Sequence, residues 1–494
     1  MLVETLGWFR HCVGLLFGDV SQIHDLTVLE QAAAIRTGEA SAAEITEHYL
    51  DRIDRLNDQV GAFYTVTHEL AREQAAAADK AVLASRKDGS DLPPLTGVPV
   101  PIKDLYQVAG VRFTSGTAIL ADHVAPEDDY VVEHLRSAGV VITGKTATSE
   151  FGLPCYTETK IGPPARTPWD LSRSAGGSSG GAAAAVASGL APAAQGSDGA
   201  GSIRIPASVC GLFGIKPTRG RVSQGPLLPD IYGLSTPGPL TRTVADAALL
   251  LDVMSGNHPG DMYTLPPLPA GESFLGYASR EPGKLRIART LTTVVEGVEV
   301  HTDCVAAYDA ASAELSSLGH EIEDVDLPFQ PEAVPSFLAL FFSMLTLAPV
   351  APDQEAQLLP LTRYVRGKGM ELRVADLLMH QAILQAVVRQ GLQALGGYDA
   401  ILTPTVAQPP RLVGWFDEVD PAENFTRQMR FAPWPAIYNL TGQPAVSVPL
   451  HWSAQGLPIG VMLAGRIGDE ATLISLSAQL EAAHPWAQRR PSIW

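Results

Sequence analysis

Cysteine is scarce. The 494 residues hold four, Cys12, Cys155, Cys210 and Cys304, with no CxxC spacing among them. That argues against a disulfide scaffold and a thiolate zinc site, and it fits a reducing cytoplasm. Basic residues are also few: 35 Lys and Arg stand against 53 Asp and Glu, for a formal net charge of −18. Phosphate backbones are gripped by basic stripes, so no nucleic-acid partner is expected. Charged residues make up only 18% of the chain and form no long runs, while 46% is hydrophobic. Such a chain can fill a large core and is not a disordered tail.

Long apolar runs are missing too. A membrane helix needs about 20 residues, and the run Phe337 to Val350 falls short of that. It reads as a buried helix or a pocket wall. Residues 1–26 read as an apolar N-terminal extension. Its first twenty carry Glu4, Arg10, His11 and Asp19 and lack the basic start and clean apolar core of a signal peptide. A helix packed on the body or an oligomer contact fits this segment, which leaves room for a homodimer.

What is present begins with two capping boxes, Thr27–Glu30 and Ser41–Glu44, each opening a run with helical apolar spacing. An Ala-rich helix is expected over 68–85. Further helices are expected over 131–138, 180–188, 244–255 and 304–318. Strands are expected over 140–143, 285–288, 321–325, 400–402 and 445–449. Strands interleaved with helices predict an α/β sheet protein. With neither a repeat nor an obvious linker, the expectation is a single large domain over 27–494.

Three motifs mislead. Gly139 to Thr146 satisfies a Walker-A pattern, but strand-like residues lie between its glycines, where a phosphate loop should be. Gly176-Gly177-Ser178-Ser179-Gly180 satisfies the nucleophile-elbow pattern without the strand that must precede it. None of His301, His320, His380, His451 and His484 stands in a context that marks a partner for Ser178. The Gly/Ser/Ala-rich stretch 172–202 resembles a linker in composition, yet it contains a helix-like run and ends in the specific string Asp198 to Ser208.

Two dense Gly/Ser segments, 176–181 and 199–202, flank that helix. Glycine at this density signals close backbone approach or positive φ. The amides of Gly199, Ala200, Gly201 and Ser202 could converge on one oxygen as an oxyanion hole, each donor contributing about 3 kcal/mol to a transition state. A serine nucleophile needs a base. Lys103 follows the apolar stretch Val98 to Ile102, and burial lowers a lysine pKa. From these residues alone, Lys103 is either that base or a surface lysine paired with Asp104, and either Ser178 or Ser202 could attack.

The run Gly177 to Gly189, with Gly196 to Ser208 and Cys210 to Thr218 after it, closely resembles the amidase-signature family. So do Pro101 to Asp104, Gly144 to Thr146, Leu402 to Thr405 and Asn439 to Ala445. The resemblance extends from about residue 27 to the C-terminus. It implies a central mixed, twisted β-sheet covered by helices on both faces. It implies a Ser-Ser-Lys triad: Ser202 as nucleophile, Ser178 as the bridging serine after a cis peptide, and Lys103 as base. Ser179, Asp198 and Arg204 fall at positions that support the loop. The implied chemistry is hydrolysis of a small-molecule amide through an acyl-enzyme, with no metal or organic cofactor.

The chain departs from the family pattern at Ala200, where glycine is common, at Ala175, where proline is frequent, and over 157–167. Within the family it looks most like bacterial 6-aminohexanoate cyclic dimer hydrolases and related amidases, through 208–211, 217–221, 255–261 and 484–491. Substrate choice is expected to lie in the variable region 327–413 and in the wall near 151–156. Gly152, Cys155, Phe341 and Phe342 are candidate substrate contacts for an aryl or alkyl group, or Phe341 and Phe342 are plain core residues. Anilides, carbamates and esters suit the same machinery. Two alternatives remain: a Ser-His-Asp esterase with Ser178 as nucleophile, and a non-catalytic subunit related to amidotransferases.

Overall fold

A computed structural model of the protein describes residues 22–229 and 231–494. The strands are β1 (Phe63–Val66), β2 (Ile102–Lys103), β3 (Gly144–Thr146), β4 (Ala193–Asp198), β5 (Phe213–Lys216), β6 (Thr236–Thr241), β7 (Arg286–Arg289), β8 (Glu321–Asp324), β9 (Ala400–Pro404), β10 (Ala445–Trp452) and β11 (Pro458–Gly465). The helices of the first half are α1 (Val28–Thr37), α2 (Ala42–Val60), α3 (His68–Asp88), α4 (Tyr130–Ser137), α5 (Gly180–Ala187), α6 (Arg204–Cys210) and α7 (Val244–Met254). Those that follow are α8 (Phe274–Tyr277), α9 (Thr302–Ser317), α10 (Ala333–Met344), α11 (Pro360–Met370), α12 (Val374–Leu395), α13 (Pro421–Phe431), α14 (Pro435–Thr441) and α15 (Glu470–Ala483).

Eight strands form one mixed sheet in the order β4-β6-β5-β10-β11-β9-β7-β8. Pairing is antiparallel from β4 through β9 and parallel across β9, β7 and β8. The strand period of two decides the layers. Val446, Val448, Val461 and Leu463 point to one face, where they meet α7, α9 and α15 through Leu250, Ala307 and Leu473. Ala445, Met462 and Ala464 point to the other face and meet Ile437 and Tyr438 of α14. Ala194 and Leu240 share that second side with α5 and α6. Helices thus cover both faces, as the family resemblance implied.

Both capping boxes form. The Thr27 and Ser41 side chains accept from the amides of Glu30 and Glu44, whose carboxylates accept in return. Residues 22–26, counted by sequence with the N-terminal extension, are held on the body: Arg242 donates to the carbonyls of His24, Asp25 and Leu26. The remainder of that extension, 1–21, lies outside the described residues.

Other boundaries also differ from expectation. The strand expected over 140–143 is displaced to Gly144–Thr146, and Val141 makes only an isolated bridge to Pro99. The ladder begins where the chain first has neighbours on both sides, in a small sheet ordered β1-β3-β2. This also disposes of the Walker-A pattern, because the chain between its glycines carries the buried residues Val140 to Thr143 and not a bare loop. Strands β4, β5, β6 and β11 were not expected. Each is fully buried along its length, so none shows polar alternation, and β6 carries Pro237 and Pro239, residues that argue against a strand. Among the described residues no helix is long and apolar enough to cross a membrane.

The two sheets meet where β2 runs past β4. The Gln195 amide donates to the Pro101 carbonyl, and the Lys103 amide donates to Gln195 Oε1 at 3.0 Å. On the other side of β4, α6 packs against β5 at Gly214, where a Cβ would lie 2.8 Å from Ala207 Cβ. Gly214→Val forces α6 off the sheet. It is expected to cost about 1–3 kcal/mol by overpacking, read as a lower urea midpoint, with a loss of turnover because α6 anchors the loop before it.

Candidate active site

Lys103 ends β2 with no accessible surface. Asp104 does not pair with it: that carboxylate binds Lys145 Nζ at 2.6 Å, both side chains fully buried, and also holds Thr114. Lys103 Nζ lies 2.7 Å from Ser178 Oγ, 3.0 Å from Ser197 Oγ and 3.3 Å from the Ser197 carbonyl. Burial pulls its pKa down to about 7, against an opposing pull from Asp198. A neutral amine has two N–H groups and one lone pair. Donating the two N–H groups to the Ser197 oxygens turns the lone pair toward Ser178.

Ser178 sits in a turn whose Gly177–Ser178 bond is cis. Gly177 is required there by contact: a Cβ would lie 2.6 Å from the Tyr156 nitrogen. Ser178 is 2% exposed, whereas Ser202, just before α6, is only partly buried. Ser179 ties the two loops together. Its amide donates to the Ser202 carbonyl at 3.2 Å, and its hydroxyl donates to the Ser197 carbonyl at 3.1 Å.

Asp198 organises the loop 199–203. Its carboxylate accepts from Arg204 Nε at 2.9 Å and Nη2 at 2.8 Å, from the amides of Gly201 and Ile203, and from Asn439 Nδ2. Burial alone would raise this carboxyl, but Arg204 and, behind it, Lys216 and Asn439 hold it well below the usual range. Arg204 also donates to the Pro435 carbonyl and to Asn439 Oδ1. Gly201 has φ +120°, and a Cβ there would strike Ile205 and Pro435 at 2.7 Å.

This arrangement corrects the expected oxyanion hole. The Gly201 amide donates to Asp198 Oδ1 at 2.7 Å, so it serves the loop and not a ligand. Gly199, Ala200 and Ser202 remain as candidate donors. Sequence reasoning also passed over Ser197, Gln195 and Asn439 as site residues. Asn439 stood inside a matched family motif, which was its only signal. Ser197 likewise stood inside the matched run Gly196 to Ser208, and Gln195, one residue before that run, had no signal.

Of the candidate pocket residues, Gly152, Phe341 and Phe342 are linked through one apolar cluster, while Cys155 packs in another. Gly152 is beside the serine, its would-be Cβ 3.5 Å from Ser178 Oγ. Its neighbours Phe151 and Leu153 pack with Phe341, Phe342, Leu345 and Phe425 in one apolar cluster. Phe342 meets Phe425 edge-on with centroids 5.0 Å apart. The Cys155 amide donates to Gln428 Oε1 on α13, and burial raises its thiol pKa. Four of the histidines considered as partners for Ser178 are engaged elsewhere: His301 with the Asp303 amide, His320 with Gln479, His380 with Ser336 and His484 with Glu314.

The chain's relatives agree with this architecture. The Amidase family model matches residues 44–474. The putative amidase AmiB2 of Mycobacterium tuberculosis is 39% identical over 472 residues, covering 94% of this chain and 97% of that protein. The 6-aminohexanoate-cyclic-dimer hydrolase of Paenarthrobacter ureafaciens is 35% identical over 496 residues, covering 94% and 96%. A solved structure of 6-aminohexanoate cyclic dimer hydrolase superposes with a TM-score of 0.86 at 30% identity, covering 96% of this chain and 100% of that one. A bacterial aryl acylamidase of the amidase signature family superposes at 0.84 with 26% identity, covering 94% and 98%. Fold and relatives together define an amide-hydrolysing enzyme. The chain belongs to the amidase family.

Asp198→Asn leaves the buried Arg204 guanidinium uncompensated. The expected cost is about 3–5 kcal/mol, measurable as a shift in the urea unfolding midpoint.

Proposed function

We propose that this enzyme cleaves small aryl or alkyl amides through a Ser202 acyl-enzyme, with Lys103 as base acting through Ser178. The observation that carries the reading is the buried Lys103 Nζ, 2.7 Å from Ser178 Oγ and with its pKa drawn to about 7. The neutral amine accepts the Ser178 proton as Ser178 accepts that of Ser202. Ser202 Oγ bonds to the substrate carbonyl carbon, and its oxyanion is held by amides among Gly199, Ala200 and Ser202. The proton returns through Ser178 to the leaving nitrogen, the C–N bond breaks, and an amine departs. Water, deprotonated along the same path, attacks the ester, releases the acid and regenerates Ser202.

Greater accessibility favours Ser202 over Ser178 as the attacking group. A Ser178 nucleophile with a histidine base has less support, given the commitments of the four histidines above. The cluster around Phe151, Phe341, Phe342 and Phe425 supports an apolar group on the substrate. The relatives' names point the same way, toward a cyclic aliphatic amide and an aryl acylamide. Anilides, carbamates and esters remain within reach of the same chemistry.

A fluorophosphonate should label Ser202, read by peptide mass spectrometry, and a label on Ser178 would overturn the assignment. Lys103→Ala should lower kcat by about 10²–10⁴-fold, the range of a general base. Because the neutral lysine is the active form, kcat/KM should rise with pH through about 7 and then level. Phe342→Ala should raise KM for aryl amides more than for acetamide.

A further inference from the structure

We propose that Tyr156, Thr157, Asn424 and Gln428 are positioning residues for the proton relay, bracing the turn that carries Ser178 against α13. The inference rests on the Lys103–Ser178–Ser202 reading above. The segment 155–157 lies directly on that turn. A Cβ on Gly177 would fall 2.6 Å from the Tyr156 nitrogen and 2.9 Å from the Cys155 carbonyl carbon. The Thr157 hydroxyl donates to the Gly176 carbonyl at 2.9 Å and lies 3.5 Å from the Ser178 carbonyl. Thr157 is fully buried, and a Cβ on Gly180 would come within 2.5 Å of its hydroxyl. Contact this close leaves no slack, so a shift of the segment is a shift of the turn.

A polar network grips the same segment from its other side. The Cys155 amide donates to Gln428 Oε1 at 2.8 Å, and Gln428 Nε2 donates to Asn424 Oδ1 at 2.7 Å. Asn424 Nδ2 donates to the Tyr156 hydroxyl at 2.9 Å and to Asp417 Oδ1 at 2.8 Å. The Tyr156 hydroxyl donates in turn to Asp417 Oδ1 at 2.6 Å. Burial, with the Asp417 carboxylate beside it, raises the Tyr156 pKa, so the phenol stays a donor. Each carboxamide both donates and accepts within the network, which fixes its orientation, and a satisfied buried network is rigid. Asn424 and Gln428 stand four residues apart on one ridge of α13. Phe425 and Met429 form the next ridge and pack with Phe151 and Phe342 in the apolar cluster. One helix thus sets the apolar wall and braces the relay turn. None of these four side chains bonds to Lys103 or to the Ser178 hydroxyl, so they act through the turn. The demand is strict, because a 1 Å misplacement of a reacting group can cost about 10²-fold.

The test compares the nitroanilide and the nitrophenyl ester of one acyl group, so that contacts with the wall cancel. The anilide needs two proton transfers through Ser178, one from Ser202 and one to the leaving nitrogen. The ester needs only the first, because nitrophenolate departs as an anion. Thr157→Val keeps the side-chain shape and removes the donor, and Gln428→Met removes both carboxamide bonds. Each should lower kcat/KM for the anilide on the order of ten- to a hundredfold and for the ester by less, so that the anilide-to-ester ratio falls about tenfold. The loss should lie in kcat and not in KM. Thr157→Ser, which keeps the hydroxyl, should hold the wild-type ratio. Equal losses on the two substrates, as general disruption of the fold would give, overturn the proposal. So does a Thr157→Ser variant no better than Thr157→Val. Ratios unchanged in both variants, with Lys103→Ala still impaired, overturn it and leave the Ser202 mechanism standing. A fully active Lys103→Ala overturns that mechanism and the proposal with it.

Discussion

The buried ion pair between Asp198 and Arg204 is the interaction on which the site depends. It joins the end of β4 to the start of α6 across the loop that carries Ser202, and both side chains are fully buried. A buried pair of this kind is tolerable only when its remaining valences are met. Here Asn439, the Pro435 carbonyl and the amides of Gly201 and Ile203 meet them. The same bonds fix the loop. One consequence is that the Gly201 amide is taken up in building the turn, which leaves fewer donors for a substrate oxygen.

The second constraint is the state of Lys103. A lysine can be kept neutral only where no carboxylate is close enough to offset the burial of its charge. Asp104 is adjacent in sequence, yet Lys145 takes its carboxylate, while Asp198 acts on Lys103 only at a distance. The two buried lysines of the small sheet therefore have opposite surroundings, one ion-paired and one bonded to hydroxyls and a carbonyl. Ser197 offers the Lys103 amine two acceptors, its hydroxyl at 3.0 Å and its carbonyl at 3.3 Å.

Around this centre the apolar wall comes from a different part of the chain. Residues 151–153 reach the serine turn from one side, and α10, α11 and α13 bring Phe341, Phe342, Val365 and Phe425 from the other. The apolar cluster and the Asp198–Arg204 loop network are thus held by separate elements, so the one can vary while the other stays fixed.

Local signals carried much of this protein. The capping boxes of α1 and α2, the helices α5, α7 and α9, and the strands β7 to β10 are set by residues near one another in the chain. The Gly/Ser string 177–218 was enough to identify the amidase resemblance and to nominate Ser178 and Ser202, and the segment Pro101 to Asp104 nominated Lys103. Only the tertiary structure decided that Asp104 serves Lys145, that Ser197 holds Lys103, that Asn439 closes the Asp198–Arg204 pair and that the Gly201 amide is already engaged. It alone recognised β4, β5, β6 and β11, whose burial on both faces removes the alternation by which a strand is read. The reason is common to all of these. A donor's partner, and a strand's second face, are chosen by contacts between segments up to hundreds of residues apart, and no local pattern records which segments meet.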